Sequence, residues 1–387
     1  MYIERGMAET LPVVMGEYPI VTLSGPRQSG KTTLTKKSLP KYRYVNMEDA
    51  DSAEFARSDP KGFLRQYPAP LVIDEAQRVP ELMSSLQVAV DERRDMMGQY
   101  VLTGSHQPLL REKVSQSLAG RTAVLDLFPL SLAELGPIAI GMDADEIMFR
   151  GFMPEIYRRS VSPARYYRNY LNTYVERDVR MMVNIRNLSM FEKFLRLLAG
   201  RIGQLVNLSQ LSVEVGVSST TLNEWLSILE ASYIVYRLSP YYGNFSKRLV
   251  KTAKIYFTDV GLATHLLGIS SVTQLGRDPL RGNLFENLVI MDAVKHFKNS
   301  DGDAQFYFIR TQTGFEIDLL IEAGGRLRPV EIKSATTCRD ALAANVRRFA
   351  AEVEQVEDPT LVYDGEDYPE RLGVKWVNFR RFMPFRN

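Results

Sequence analysis

The sequence predicts an α/β protein that opens with a parallel sheet carrying helices on both faces. Three stretches predict it. The apolar run at residues 20–23 leads into "SGPRQSGKTTL", which reads as strand, glycine loop and helix start. "APLVIDEAQRVPEL" holds a second apolar run, residues 71–73, that ends in Asp74 and Glu75. "YVLTGSHQPLL" holds a third, which ends in Thr103, Gly104 and Ser105. Short buried strands with polar residues at their C-terminal tips suit an open α/β sheet, where ligands bind at that edge.

The whole chain bounds what such a sheet can serve. Its 387 residues suffice for two or three domains, and 45% hydrophobic with 24% charged residues is ordinary for a soluble globular protein. A formal net charge of +2 removes any global electrostatic case for nucleic acid, so a basic patch must be local. The single Cys338 excludes an internal disulfide and fits a reducing cytosol. His106, His265 and His296 are scattered, so no zinc-type cluster is expected. The opening "MYIERGMAET" lacks the apolar core of a signal peptide, and no run approaches the roughly 18 apolar residues of a membrane span. A cytoplasmic protein without a membrane partner is expected.

The glycine loop carries the first chemistry. Gly25, Gly30, Lys31 and Thr32 meet the pattern G-x-x-x-x-G-K-[ST] between a strand and a helix start. Backbone N–H groups of residues 28–32 would wrap phosphates, helped by the helix N-terminus. The expected ATP-binding set is Gly25, Pro26, Arg27, Gln28, Ser29, Gly30, Lys31, Thr32 and Thr33. Lys31 would reach the β- and γ-phosphates and Thr32 would hold Mg²⁺. The competing reading is a glycine turn capped by a lysine. Asp74 would accept from Mg²⁺-bound water and Glu75 would orient and deprotonate the attacking water. The plain alternative for this pair is a helix N-cap with a first-turn acid. A hydroxyl at the third strand's tip can report on the γ-phosphate, or it ends an ordinary turn.

With "VIDEAQRVPEL", "LTGS" and "SLAGRTAVLDLFPLSLAEL" (117–135) added to the loop, the chain resembles, over nearly its full length, the prokaryotic AAA-type ATPases that carry a C-terminal DUF4143 domain. The resemblance implies an AAA+/ASCE-like P-loop NTPase sheet, with Asp74 and Glu75 as Walker B and Ser105 as sensor 1. It offers Arg121, in "LAGR", as a phosphate sensor or finger; a surface salt bridge is the alternative. Arg177, in "YVERDVR", is a second arginine that could act in trans, against a charge pair on a helix face.

Residues 136–206 read as helical. Between Arg165 and Arg201 eight basic residues face three acidic ones, a local excess that is either a DNA-facing patch or a solvated surface. "NLSQLSVEVGVSSTTLNEWLSILEASYIVYRL" (207–238) reads as two short helices around Gly216, then a strand. That is a helix-turn-helix, and with strands after it a winged helix. Thr220, Thr221 and Asn223 would face a groove if the second helix reads DNA. "YYGNFSKRLVKTAKIYF" (241–257) interleaves aromatics with Lys247, Arg248, Lys251 and Lys254, which suits phosphate contact with base stacking, or a β-wing with wet cations.

The C-terminal third brings a second set of acids. "GFEIDLLIEAGGRLRPVEIKSA" (314–335) reads as a hairpin about Gly324 and Gly325. Ala323 then faces Arg326, and Asp318 stands opposite Glu331. Facing carboxylates repel, so a metal ion, Lys333 or both must sit there. The proline of "RPVEIK" suggests a sheet edge or strand start. An acid, then Glu-x-Lys, with Glu286 on an upstream helix, resembles the PD-(D/E)xK nuclease fold. That resemblance implies an α/β restriction-endonuclease-like domain with Glu286, Asp318, Glu331 and Lys333 as a possible Mg²⁺-dependent nuclease site. Activity does not follow from the fold.

The expected plan is therefore an ATPase domain at 1–140, a helical connector with a winged helix at 141–250, and a nuclease-like domain at 251–387. The expected function is Mg²⁺-dependent ATP hydrolysis coupled to DNA binding or remodelling. Two alternatives remain open: an ATP-gated DNA endonuclease, and a nucleotide-switched regulator with little turnover. A homo-oligomer or a partner protein could complete the site.

Overall fold

A computed structural model describes residues 2–105, 117–175, 188–242 and 250–384. Its contacts divide the chain into two compact units. The first comprises Met1–Leu130 with Ala231–Tyr233 and Lys298–Asp301; the second comprises Ser131–Glu230, Ile234–Phe297 and Gly302–Asn387.

In the first unit, strands β1 (Ile20–Ser24), β2 (Arg43–Asn46), β3 (Leu71–Asp74), β4 (Tyr100–Gly104) and β5 (Thr122–Asp126) form one sheet in the order β2-β3-β4-β1-β5. Every pairing is parallel. Buried parallel strands must be apolar on both faces, and here they are. Leu71, Ile73 and Leu102 face a core with Ala53, Ala56, Phe63 and Leu86. Those four come from helices α3 (Ala50–Ser58), α4 (Pro60–Gln66) and α5 (Leu82–Asp91). Val21, Leu23, Val72 and Val101 face the opposite core, with Leu11 and Val14 of helix α1 (Met7–Glu17) and Leu34 of helix α2 (Lys31–Ser38). Each such aliphatic side chain contributes about 1.5–3 kcal/mol when fully buried. The expected α/β class and its P-loop strand arrangement are thus present. β4 stands between β1 and β3, so the loop after β1 and the acids after β3 flank the tip of β4.

In the second unit, eight strands form a mixed sheet: β6 (Val235–Pro240), β7 (Lys254–Phe257), β8 (Gln305–Arg310), β9 (Glu316–Ala323), β10 (Arg326–Lys333), β11 (Thr360–Tyr363), β12 (Tyr368–Arg371) and β13 (Val374–Asn378). Their order is β12-β13-β11-β10-β9-β8-β6-β7. The expected boundary at residue 250 falls between β6 and β7. β6 pairs with β7 as a hairpin and also with β8, so the presumed wing strands belong to the C-terminal sheet.

The hairpin register is as the Gly-Gly turn requires. Gly324 and Gly325 have φ of 57° and 76°, and Ala323 pairs with Arg326 through to Leu319 with Val330. Pro329 corrects the edge reading, because β10 is a central strand. Its ladder with β11 begins one residue later, at Val330.

Ahead of the hairpin, helix Leu208–Val215 ends at Gly216, whose φ of 92° favours glycine. Asn207 caps that helix, and the Ser218 hydroxyl accepts the Thr221 N–H at 3.1 Å as helix Ser219–Ala231 begins. Among the described residues no helix is long and apolar enough to cross a membrane.

Candidate nucleotide site and the C-terminal acid cluster

The loop between β1 and α2 needs its glycines. Gly25 has φ of 152°, and a Cβ there would lie 2.2 Å from the Leu127 carbonyl oxygen. Gly30, at φ of 100°, turns the chain into α2. Lys31 is buried, and its Nζ donates to the carbonyls of Gly25 and Pro26, each at 2.9 Å. The Ser29 hydroxyl is buried without a hydrogen-bond partner. Arg27 is half-buried, while Gln28 and Thr33 are exposed. A buried arginine that the sequence did not flag braces the loop. Arg5 Nη1 donates to the Ser29 carbonyl at 2.5 Å and Nη2 to the Phe128 carbonyl at 2.7 Å. A lone arginine in "YIERGM" carries no local signal of that contact, which spans 24 and 123 residues.

Asp74, at the tip of β3, gathers three hydroxyls. Thr32 Oγ1 donates to Oδ2 at 2.8 Å, Tyr44 donates to the same oxygen, and Thr103 donates to Oδ1. Burial and the Asp74 carboxylate raise the Tyr44 phenol above its ordinary value, so it stays a donor. Glu75, with φ of 55°, stands just before the short turn Ala76–Arg78, and its side chain makes no cap bond there. Its Oε2 accepts Gln77 Nε2 at 2.5 Å and Ser105 Oγ at 3.0 Å. The structure thus joins Thr32 to Asp74 and Glu75 to Ser105. Tyr44 was not singled out from the sequence; Thr103 was read only as part of the strand tip.

Arg121 does not join them. It precedes β5, beside the start of β1, where Ile20 pairs with Thr122. The phosphate loop leaves the other end of β1, about 15 Å away at 3.3 Å per residue. Arg121 instead grips Asp91 through Nε and Nη2, each at 2.8 Å. The salt-bridge reading replaces the phosphate-sensor reading within its own site. Arg177 lies outside the described residues, as do Lys247, Arg248 and His106.

In the second unit the facing acids find their cation within the protein. Lys333 Nζ lies 3.1 Å from Asp318 Oδ2 and 2.7 Å from Glu331 Oε1, and the Ile332 N–H donates to Asp318 Oδ2 at 2.9 Å. Burial, then the Asp318 charge, pushes the Glu331 carboxyl up to about 8. Glu331 Oε2 is buried without a partner. Glu286 is tied elsewhere, to Lys254 Nζ at 2.9 Å and to the Tyr256 hydroxyl. Burial raises its carboxyl too, partly offset by Lys254. Lys254 also lies 2.7 Å from Glu316. Lys254 is therefore neither a wet wing cation nor a phosphate contact, as its sequence context suggested. Burial alone would lower its ammonium, but Glu286, Asp318 and Glu316 together hold it above its ordinary value. Among the described residues, no three His, Cys, Asp or Glu side chains are grouped to hold a metal ion.

An AAA domain family matches residues 17–136, and DUF4143, a domain of unknown function, matches residues 281–382. A second domain of unknown function, DUF8612, matches residues 142–273. Uncharacterized proteins of Mycobacterium bovis and Mycobacterium tuberculosis are each 33% identical over 373 residues, covering 95% of this chain and 81% of the relative. An uncharacterized protein of Haemophilus influenzae is 23% identical over 313 residues, covering 71% of this chain and 74% of its own. Among solved structures, a Walker-type ATPase of Pyrococcus abyssi is similar at 16% identity and a TM-score of 0.46, over 68% of this chain and 96% of that one. On the family matches and the mycobacterial relatives, the chain belongs to the family of AAA-domain proteins that carry a C-terminal DUF4143 domain.

Proposed function

We propose that this protein binds and hydrolyses ATP with Mg²⁺ at the loop between β1 and α2, in a reducing cytosol. The observation that carries the reading is Thr32 Oγ1 lying 2.8 Å from Asp74 Oδ2. A loop hydroxyl and a strand-tip carboxylate one hydrogen bond apart are the pair that holds Mg²⁺ in phosphate-loop enzymes. Bound there, Mg²⁺ supplies charge neutralisation on the β- and γ-phosphates. Lys31, released from the Gly25 and Pro26 carbonyls, adds its ammonium to the same oxygens. The amides of residues 28–32 donate to the phosphates. Glu75 orients the attacking water and takes its proton, while Ser105 registers the state of the γ-phosphate. Because Arg121 faces away, a cationic finger would come from a second copy or a partner protein.

Phosphate release from wild type, Lys31→Ala and Glu75→Gln tests this. Release by wild type alone is expected; equal release from all three would sink the reading. Tight ATP binding with no release from wild type would turn it into a nucleotide-switched regulator.

We propose DNA as the partner of the coupled motion. Helices Leu208–Val215 and Ser219–Ala231 precede the β6–β7 hairpin, and Leu205 bridges Lys254. That is the element order of a winged helix. Helix Ser219–Ala231 buries Leu222, Trp225 and Leu226 and exposes Thr220 and Asn223, the arrangement a recognition helix uses. Phosphate release should rise when duplex DNA is added. No stimulation, and no binding at low salt, would remove DNA and leave the ATPase reading standing. The C-terminal acids favour no cleavage, because lysines already neutralise them. Plasmid should stay intact with ATP and either Mg²⁺ or Mn²⁺.

A further inference from the structure

The second unit holds a cleft built from residues that neither site above uses. Its space is about 470 Å³, part of it open to solvent. Pockets for small organic molecules hold roughly 300–1,000 Å³. Three helical segments form it. Helix Pro163–Tyr170 supplies Arg168 and runs into a π-helical turn, Leu171–Val175, which supplies Leu171 and Asn172. Such widened turns are rare and recur at functional sites. Helix Leu188–Ala199 supplies Phe191, Glu192, Leu195 and Arg196, spaced so that all four share one face. Helix Val260–Leu266 supplies His265 and Leu266 from its last turn.

One wall of the cleft is apolar. Leu171 is half-buried, and Phe191, Leu195 and Leu266 are buried. Its charges are unbalanced. Arg168 and Arg196 are exposed, and among the described residues neither is paired with an acid, Glu192 included. Two guanidiniums against one carboxylate leave the lining with a net positive charge of one. Both guanidiniums act on His265. Burial, then Arg196 and Arg168, lowers its imidazolium from the ordinary value, so the ring is uncharged at neutral pH. The carbonyls at the end of its helix are already used: Ala263, Thr264 and His265 accept the N–H groups of Leu267, Ile269 and Gly268. No backbone acceptor there calls for a cation.

We propose that this cleft binds a small organic monoanion, a carboxylate held by Arg168 and Arg196 with its hydrocarbon body against Leu171, Phe191, Leu195 and Leu266. A guanidinium takes a carboxylate through two parallel N–H bonds, so two of them fix its direction as well as its charge. A phosphate dianion exceeds the net charge of the lining and leaves the apolar wall uncovered. A cation meets two guanidiniums. The proposal rests on neither ATP turnover nor DNA binding.

Fluorine NMR of para-fluorophenylacetate with the full chain, in the absence of nucleotide, tests it. Its line should broaden saturably, and hexanoate should reverse the broadening. Para-fluorophenethylamine, with a matching body and the opposite charge, should stay sharp. Fluoroacetate, with the head and no body, should stay sharp too. Arg168→Ala and Arg196→Ala should each weaken binding about tenfold, the loss of a charged hydrogen-bonding partner, and the double variant should abolish it. Both positions are exposed, so these variants keep the fold. Arg165→Ala, exposed on the same helix but outside the cleft, should bind as wild type does. Lines that stay sharp with both the aromatic acid and wild type, equal binding of the amine, or unchanged binding in the double arginine variant would each overturn the proposal. So would displacement of the acid by inorganic phosphate but not by hexanoate.

Discussion

Arg121 holds Asp91 through two hydrogen bonds of 2.8 Å, beside the end of β1 that points away from the phosphate loop. The guanidinium lowers the Asp91 carboxyl from its ordinary value. Arg121→Ala should therefore leave phosphate release within about twofold of wild type. Loss of a finger in trans would instead cost on the order of 10³-fold. Steady-state release at saturating ATP separates the two outcomes.

Thr103 is expected to tune the metal through Asp74. Its hydroxyl donates to Oδ1 while Thr32 takes Oδ2. Thr103→Val keeps the shape of the strand and frees one carboxylate oxygen. Partners that orient a metal-side ligand are worth about 10–100-fold in metal affinity. The Mg²⁺ concentration that half-saturates phosphate release should rise by about tenfold, with nucleotide affinity in the absence of metal unchanged.

Glu75→Gln keeps the volume and the Ser105 bond but removes the base. Phosphate release should fall by about 10²–10⁴-fold, the range for a positioned general base. Binding of a fluorescent ATP analogue should survive, and a parallel loss of binding would assign Glu75 to the loop rather than to water.

Arg5 is expected to act on stability before it acts on chemistry. Arg5→Ala strips the Ser29 and Phe128 carbonyls of buried donors. Leaving buried acceptors unpaired costs about 1–3 kcal/mol each. Denaturant midpoints should fall accordingly. Arg5→Lys should restore little, because one ammonium on a flexible stem does not reproduce the fork.

Glu331 sets a pH dependence. Its folded carboxyl sits at about 8, above the ordinary value of 4.5, because burial and Asp318 disfavour its charge. The folded chain then holds a proton that the unfolded chain has lost, so this group weakens the fold as pH rises from about 4.5 through about 8. Glu331→Gln carries no such charge. Its stability should decline less than wild type over that window, as read by urea unfolding at stepped pH.

Much of the candidate site's geometry was legible because its parts are local in sequence. Gly25 to Thr32 form one loop, and Asp74 with Glu75 directly end one strand. Residue types at fixed short spacings encode such geometry. The hairpin of β9 and β10 was equally readable, since Gly324 and Gly325 set its register from within. Pro329 shows the limit. Strand order, which no local pattern specifies, decided that β10 lies inside the sheet.

The amino-acid sequence by itself determined the glycine loop between β1 and α2, the acids at the tip of β3 and the register of the β9–β10 hairpin. A turn or a strand tip brings such neighbours together whatever the rest of the chain does. Only the tertiary structure decided that Arg5 braces the loop, that Arg121 turns to Asp91, and that Lys254 lies buried between Glu286 and Glu316. A long cationic side chain takes its partner from whatever carboxylate or carbonyl the packed elements bring within reach. For these residues that choice was made across distances in sequence of 24 to 123 residues, where spacing carries no signal.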